Sequence, residues 1–247
     1  MNEKLLIIVA TRNRKGVVRH CMENLVAMKA PADVLAIFND ASTEYDGGWC
    51  RAFGDLVFNL KDPVGIHVQR RLHFQFAKDM IRKDPKITRV YLTDADCIHD
   101  PAFRENLIRI QDKYDQPLVC GYNTTAHSCL EGNTWGDDPS EEVIWRKYAP
   151  GVSYLLTPDH IEVVCGHLKL IEQSWDWVLG DLLGNRCAIT RVGWVDHIGW
   201  KGDRHPTDEG PNGGDRVIAP TEFLVRKRAE IVAALQKEIL LDESVPR

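Results

Sequence analysis

The sequence predicts an α/β fold with a mostly parallel central sheet and helices on both of its faces. Two observations predict it. Short continuous apolar runs rich in β-branched residues recur along the 247-residue chain, as expected of strands buried on both sides. Between them lie stretches whose apolar residues return at helical spacing. Strands that alternate with helices in this way pair in parallel through crossover helices.

The elements follow in order. "KLLIIVA" (4–10) is a buried strand, and from Asn13 to Lys29 the apolar positions 17, 18, 21, 22, 25 and 26 form one helical face that Pro31 closes. "VLAIF" (34–38) and "DLVFNL" (55–60) are the next strands. His67 to Lys83 is a helix with apolar residues at 68, 72, 76, 77, 80 and 81, and "ITRVYLT" (87–93) is a strand. A short helix past Pro101 leads to the strand "PLVCGYN" (117–123). The polar stretch 123–142 has weak periodicity and is expected to be a surface excursion. "GVSYLLT" (151–157) returns to the sheet, Pro158 opens a helix, and another starts near Ser174. Residues 202–216 are crowded with Gly, Pro and Asp and form a loop. A last helix begins near Thr221.

Composition sets the outer limits. The chain is 44% hydrophobic, enough for a large core, and its length suits one large domain or a domain with an appendage. A net charge of −5 gives no basic field, so a broad nucleic-acid surface is not expected. No run reaches the roughly 18 apolar residues of a membrane span, and the N-terminal apolar stretch is too short for a signal peptide. The cysteines at 21, 50, 97, 120, 129, 165 and 187 form no CxxC pair. Their number is odd, which points to reduced thiols in a cytoplasm. "NTT" (123–125) matches a glycosylation sequon, with little meaning absent secretion.

Chemistry collects at the strand ends. Ligands of open parallel sheets sit outside the carboxyl ends of the strands. Three such ends carry polar signals: "TRN" (11–13), "ND" (39–40) and "DAD" (94–96). Asp94 and Asp96, two apart, can face one ligand. Two carboxylates with open positions suit Mg²⁺ or Mn²⁺ bound to substrate phosphates. The plainer reading is a turn whose aspartates cap the next helix. "ATRNRKG" after the first strand has neither GxGxxG nor GxxxxGK[ST], which disfavours dinucleotide-binding dehydrogenases and P-loop enzymes.

Taken together, "LLIIVATRNR", "AIFNDAST", "GIHVQRRLHFQFA", "VYLTDADCIHDP", "SWDWVLGDLLG" and "VDHIGWKG" resemble the nucleotide-sugar glycosyltransferases of the GT-A fold, in particular the large inverting family 2. The resemblance implies a GT-A domain over 1–220, with a nucleotide-binding half (1–101) and an acceptor-side half (102–220), then a helical extension over 221–247. It also implies roles. Thr11, Arg12 and Asn13 would line the nucleotide, and Asp40 would contact the base. Arg70 falls where the family carries an arginine, although Arg71 beside it leaves the register open. Asp94 and Ala95 would meet the donor, Asp94 at the ribose or the metal. Asp96 would bind Mn²⁺ or Mg²⁺, and His197 would complete the metal or diphosphate site. Pro101 takes the proline position that follows.

The base must come from "SWDWVLGDLLG". Asp176 and Asp181 are about 140° apart around a helix, so only one can face the site. Asp176 borders the apolar stripe at the helix start and is the expected general base, with Asp181 the alternative. The family commonly has two adjacent carboxylates where this chain has Trp-Asp-Trp. The resemblance implies a UDP-sugar donor by default, a carbohydrate or other hydroxyl acceptor, and a lid over 202–216. The tryptophans at 175, 177, 194 and 200 offer sugar-stacking faces. Rival readings are a DxD-type phosphatase, a sugar nucleotidyltransferase and a non-catalytic nucleotide-binding protein. The apolar stripe of the last helix also leaves a homo-oligomer open.

Overall fold

Strand β1 (Lys4–Thr11) is buried along nearly its whole length and lies between β2 (Val34–Asn39) and β4 (Ile87–Asp94), parallel to both. The computed structural model describes residues 3–124, 134–136, 138, 140–171, 175–184, 186–198 and 217–243, with backbone alone for 134–136 and 239–243. The central sheet has nine strands in the order β3-β2-β1-β4-β9-β6-β10-β8-β7. Here β3 is Leu56–Asn59, β6 Leu118–Cys120, β7 Thr134–Gly136, β8 Val143–Arg146, β9 Ser153–Leu156 and β10 Cys187–Thr190. A separate two-stranded sheet pairs β5 (Cys97–His99) with β11 (Val195–His197), antiparallel.

The helices are α1 (Lys15–Met28), α2 (Gly47–Cys50), α3 (Ile66–Lys83), α4 (Phe103–Tyr114), α5 (Pro158–Gly166), α6 (Trp175–Leu182) and α7 (Glu222–Glu243). Alternation along β1 divides the core in two. Leu6 and Ile8 join Phe74 and Ala77 of α3, Ile161 and Val164 of α5, and Trp175 and Leu179 of α6. Leu5, Ile7 and Val9 join Val18, Met22 and Leu25 of α1 and Phe103, Leu107 and Ile110 of α4. Each of the larger aliphatic or phenyl side chains contributes about 1.5–3 kcal/mol on burial, so the two clusters fix which face each helix covers. A third cluster packs Leu224, Ile231 and Leu235 of α7 on Val17, Cys21, Ile98 and Ile198.

The sheet is parallel from β3 through β4 and mixed beyond, because β9 runs antiparallel to both β4 and β6. The strands β5, β7, β8, β10 and β11 and the single-turn helix α2 were not marked by the sequence patterns. The stretch expected as a surface excursion contributes β7, while its residues 125–133 lie outside the described residues. So do Ser174, Trp200 and the expected lid over 202–216. Among the described residues no helix is long and apolar enough to cross a membrane.

Candidate active site

The chain leaves β1, runs out to β2 and β3, and returns to β4 on the other side of β1. That reversal opens a crevice at the carboxyl ends of β1 and β4, the place where open α/β sheets take their ligands. Ala10 pairs with Asp94 and Thr11 with Asn39, so the three polar strand ends stand side by side on one edge.

After β1 the backbone turns on two successive left-handed residues, Asn13 (φ 54°) and Arg14 (φ 57°). Neither is glycine, and each conformation costs about 1–2 kcal/mol. Neighbours hold the turn in place. The Asn13 N–H donates to Ser42 Oγ at 2.9 Å, Asn13 Oδ1 accepts from the Thr43 N–H at 2.8 Å, and Tyr45 Oη donates to the Asn13 carbonyl at 3.1 Å. The Tyr45 hydroxyl also meets Thr11 Oγ1. Burial pushes that phenol up to about 12, so it stays a donor.

Asp94 ends β4, and Ala95 and Asp96 form the tight turn into β5, with the Ala95 N–H donating to the Ala10 carbonyl at 3.0 Å. The carboxylates therefore converge through a turn rather than through the alternation of one strand. Asp94 is ion-paired with Arg70. Arg70 is fully buried, lies 4.6 Å from the Trp175 ring centroid and donates to His73 Nδ1 at 3.2 Å. Burial and then the Arg70 charge hold His73 well below its usual range, leaving a neutral ring to accept. The arginine doublet thus resolves, since Arg70 is buried and Arg71 is only half-buried.

Asp96 has one oxygen with two partners. Its Oδ2 accepts from an Arg14 guanidinium nitrogen at 2.8 Å and lies 2.9 Å from His197 Nε2. Burial opposes charge on Asp96, yet His197 and Arg14 overcome it and hold the carboxyl well below the usual carboxylate range. On His197 burial likewise opposes charge, and Asp96, helped by Asp94, pushes the imidazole up to about 9. His197 is positioned by β11, whose pairing sets it opposite Cys97.

Asp40 faces inward. Its two oxygens accept the N–H groups of Val64 (2.7 Å) and Gly65 (3.0 Å), which fixes the entry to α3. Arg12, nearly half exposed, comes within 4.0 Å of the same carboxylate. Asp176 is half-buried in the first turn of α6, next to the Trp175 that covers Arg70, and its charge adds to the burial that raises Tyr154. Asp181 is exposed near Tyr148. Trp175 is occupied by Arg70, whereas exposed Trp177 stacks on Tyr148 with centroids 5.0 Å apart.

The residues expected from the sequence thus gather as Thr11, Arg12, Asn13 and Asp40 at one end and Asp94, Ala95, Asp96 and His197 at the other, with Arg70 beneath. Arg14, Tyr45, His73 and Gly151 were not expected. A Cβ on Gly151 would stand 2.7 Å from the Trp175 ring, so only glycine lets that indole lie over Arg70. Mn²⁺ or Mg²⁺ fits this arrangement poorly. Oδ2 of Asp96 is already shared by His197 and Arg14, and among the described residues no group of three His, Cys, Asp or Glu side chains is set for a metal ion.

The fold is similar to that of solved structures at low sequence identity. The similar solved structures include S. aureus TarS. TarS 1–349 in complex with UDP-GlcNAc is 13% identical with a TM-score of 0.57, covering 83% of this chain and 61% of that one. TarS 1–349 alone gives 13% and 0.54, covering 78% and 59%. The chain therefore spans about three fifths of those TarS structures. No protein-family profile matches the chain, and no curated protein matches it.

Proposed function

We propose that the protein is an inverting glycosyltransferase, similar to family 2, that moves a sugar from a nucleoside-diphosphate donor to an acceptor hydroxyl. The observation that carries this reading is the Asp94/Asp96 tip, set among Arg70, Arg14 and His197 at the crevice of a GT-A-like sheet. A UDP-sugar is the favoured donor, in keeping with the UDP-GlcNAc and UDP complexes of TarS. Thr11, Arg12, Asn13 and the loop fixed by Asp40 would seat the nucleoside, with its diphosphate lying toward the β4 tip. Asp94 and Ala95 would hold the donor's ribose and phosphates.

Asp176 would take the proton of a carbohydrate or other hydroxyl acceptor as its oxygen bonds to the anomeric carbon. The bond to the diphosphate oxygen breaks on the opposite face, its electron pair leaving with the nucleoside diphosphate. One displacement inverts the anomeric centre. Asp94 is tied to Arg70 and is not the free nucleophile a DxD-type phosphatase needs. A cytoplasmic setting belongs to the proposal, the described cysteines being free thiols.

The test is UDP release from a panel of UDP-sugars, with and without added hydroxyl acceptors. We expect Asp176→Asn to lower turnover by about 10²-fold or more while leaving UDP affinity unchanged. Normal turnover in that variant would remove Asp176 as the base. A wild-type chain that binds UDP-sugars and turns over none would leave the non-catalytic nucleotide-binding protein.

A further inference from the structure

We propose that Arg14 is the cation of the diphosphate site, supplying the positive charge that a divalent ion would otherwise supply, so that this chain holds a nucleoside diphosphate without metal. The inference rests on the transferase reading above. Three observations carry it.

The first is order of approach. The Asp96 side chain is 4% exposed, while Arg14 is 31% and His197 25% exposed. An anion arriving from solvent meets the guanidinium and the imidazole, with the carboxylate behind them. Asp96 is therefore placed to position cations rather than to ligate one from outside. The second is backbone strain. The left-handed pair at Asn13 and Arg14 is held by Ser42, Thr43 and Tyr45, and from it the Arg14 side chain reaches the β4 tip and makes no side-chain cap for the α1 N-terminus. Strain kept in place by several partners is characteristic of functional positions. The third is charge. Arg70 balances Asp94 and Arg14 balances Asp96, each by direct contact. With His197 added, the tip holds three basic side chains against two carboxylates, which favours an anion there. A guanidinium beside phosphate oxygens gives directed, charge-assisted hydrogen bonds, as a planar donor fork does.

In the transfer step Arg14 would touch the departing diphosphate and meet the charge that develops on its oxygen. No proton moves to or from Arg14, and the electron balance is that of the single displacement.

Calorimetric titration of UDP, GDP, dTDP and CMP into the full chain, in excess EDTA and separately in Mn²⁺, tests this. The expected result is binding of one nucleoside diphosphate in EDTA that Mn²⁺ changes by less than about threefold. Arg14→Gln should weaken that binding in EDTA by about tenfold or more and leave affinity for the free nucleoside unchanged. Arg14→Lys should fall between the two. Because a merely structural role would weaken nucleoside and nucleotide alike, the nucleoside arm separates the two. If Arg14→Gln does not fold, the EDTA comparison on the wild type and Arg14→Lys decides. Binding that requires Mn²⁺, or Arg14→Gln and Arg14→Lys binding the diphosphate like the wild type in EDTA, overturns the inference and keeps the transferase reading. Binding of no nucleotide in either condition overturns both.

Discussion

His99 is completely buried, close to Tyr91 and Thr93 through Nε2, and burial alone lowers its imidazole to about 3. An unfolded histidine titrates near 6.5. The folded state therefore binds fewer protons below about 6.5. The stability that His99 confers is complete above that pH and is lost as pH falls toward 3. Between pH 7 and pH 5 the loss is about 2 kcal/mol. Urea denaturation at both values should show it, and His99→Gln should flatten the slope by about one proton; an unchanged slope would mean the imidazole is not buried neutral. At the same scale the site divides into legible and illegible residues. Asp94, Asp96 and His197 were legible because their motifs carry chemistry at fixed places along the chain. Arg14 was not, because "TRNR" offers two arginines with nothing to tell them apart. Only the left-handed turn at Asn13 and Arg14 sends the second to Asp96 and leaves Arg12 nearly half exposed near Asp40.

Helix α7 shows how a distant element holds the site. Arg228 pairs with Asp196 at 2.6 Å and also donates to the His197 carbonyl at 3.3 Å, so α7 clamps the strand that presents His197. Asp196 is 2% exposed, and burial raises its carboxyl against the pull of Arg228. Removing one partner of a buried pair leaves a charge without compensation, which costs about 3–5 kcal/mol. Arg228→Ala should thus lower the melting temperature by roughly 6–20 °C for a chain this size and weaken UDP binding. Adding Asp196→Asn should recover part of both. A melting temperature within a degree of wild type would show that α7 does not clamp β11. The long helices and the parallel strands were legible because helical apolar spacing or continuous apolar runs extend through 4 to 22 residues. The three-residue strands β5, β7 and β11 were not, since three residues carry no period, and β9 gave no sign that it runs antiparallel.

At the scale of the molecule, the order β3-β2-β1-β4-β9-β6-β10-β8-β7 has one reversal in its parallel half, between β1 and β4, and the candidate site lies there. The far edge, β8 and β7, is antiparallel to its neighbours and lies four strand pairings or more from β4. A nucleotide seated at the reversal should therefore slow amide exchange locally and asymmetrically. Hydrogen exchange of the full chain with and without saturating UDP should show added protection at residues 11–15, 40–45, 63–66 and 94–98, the loops that the Asn13, Asp40 and Asp96 contacts tie together. Residues 143–146 should exchange unchanged. Because ligand binding stabilises whatever opening it opposes, strands β1 and β4 should slow as well, to a smaller degree than the loops at their ends. Protection centred on 143–146 instead would place the nucleotide on the antiparallel half and separate it from Asp94, Asp96 and Arg14 altogether.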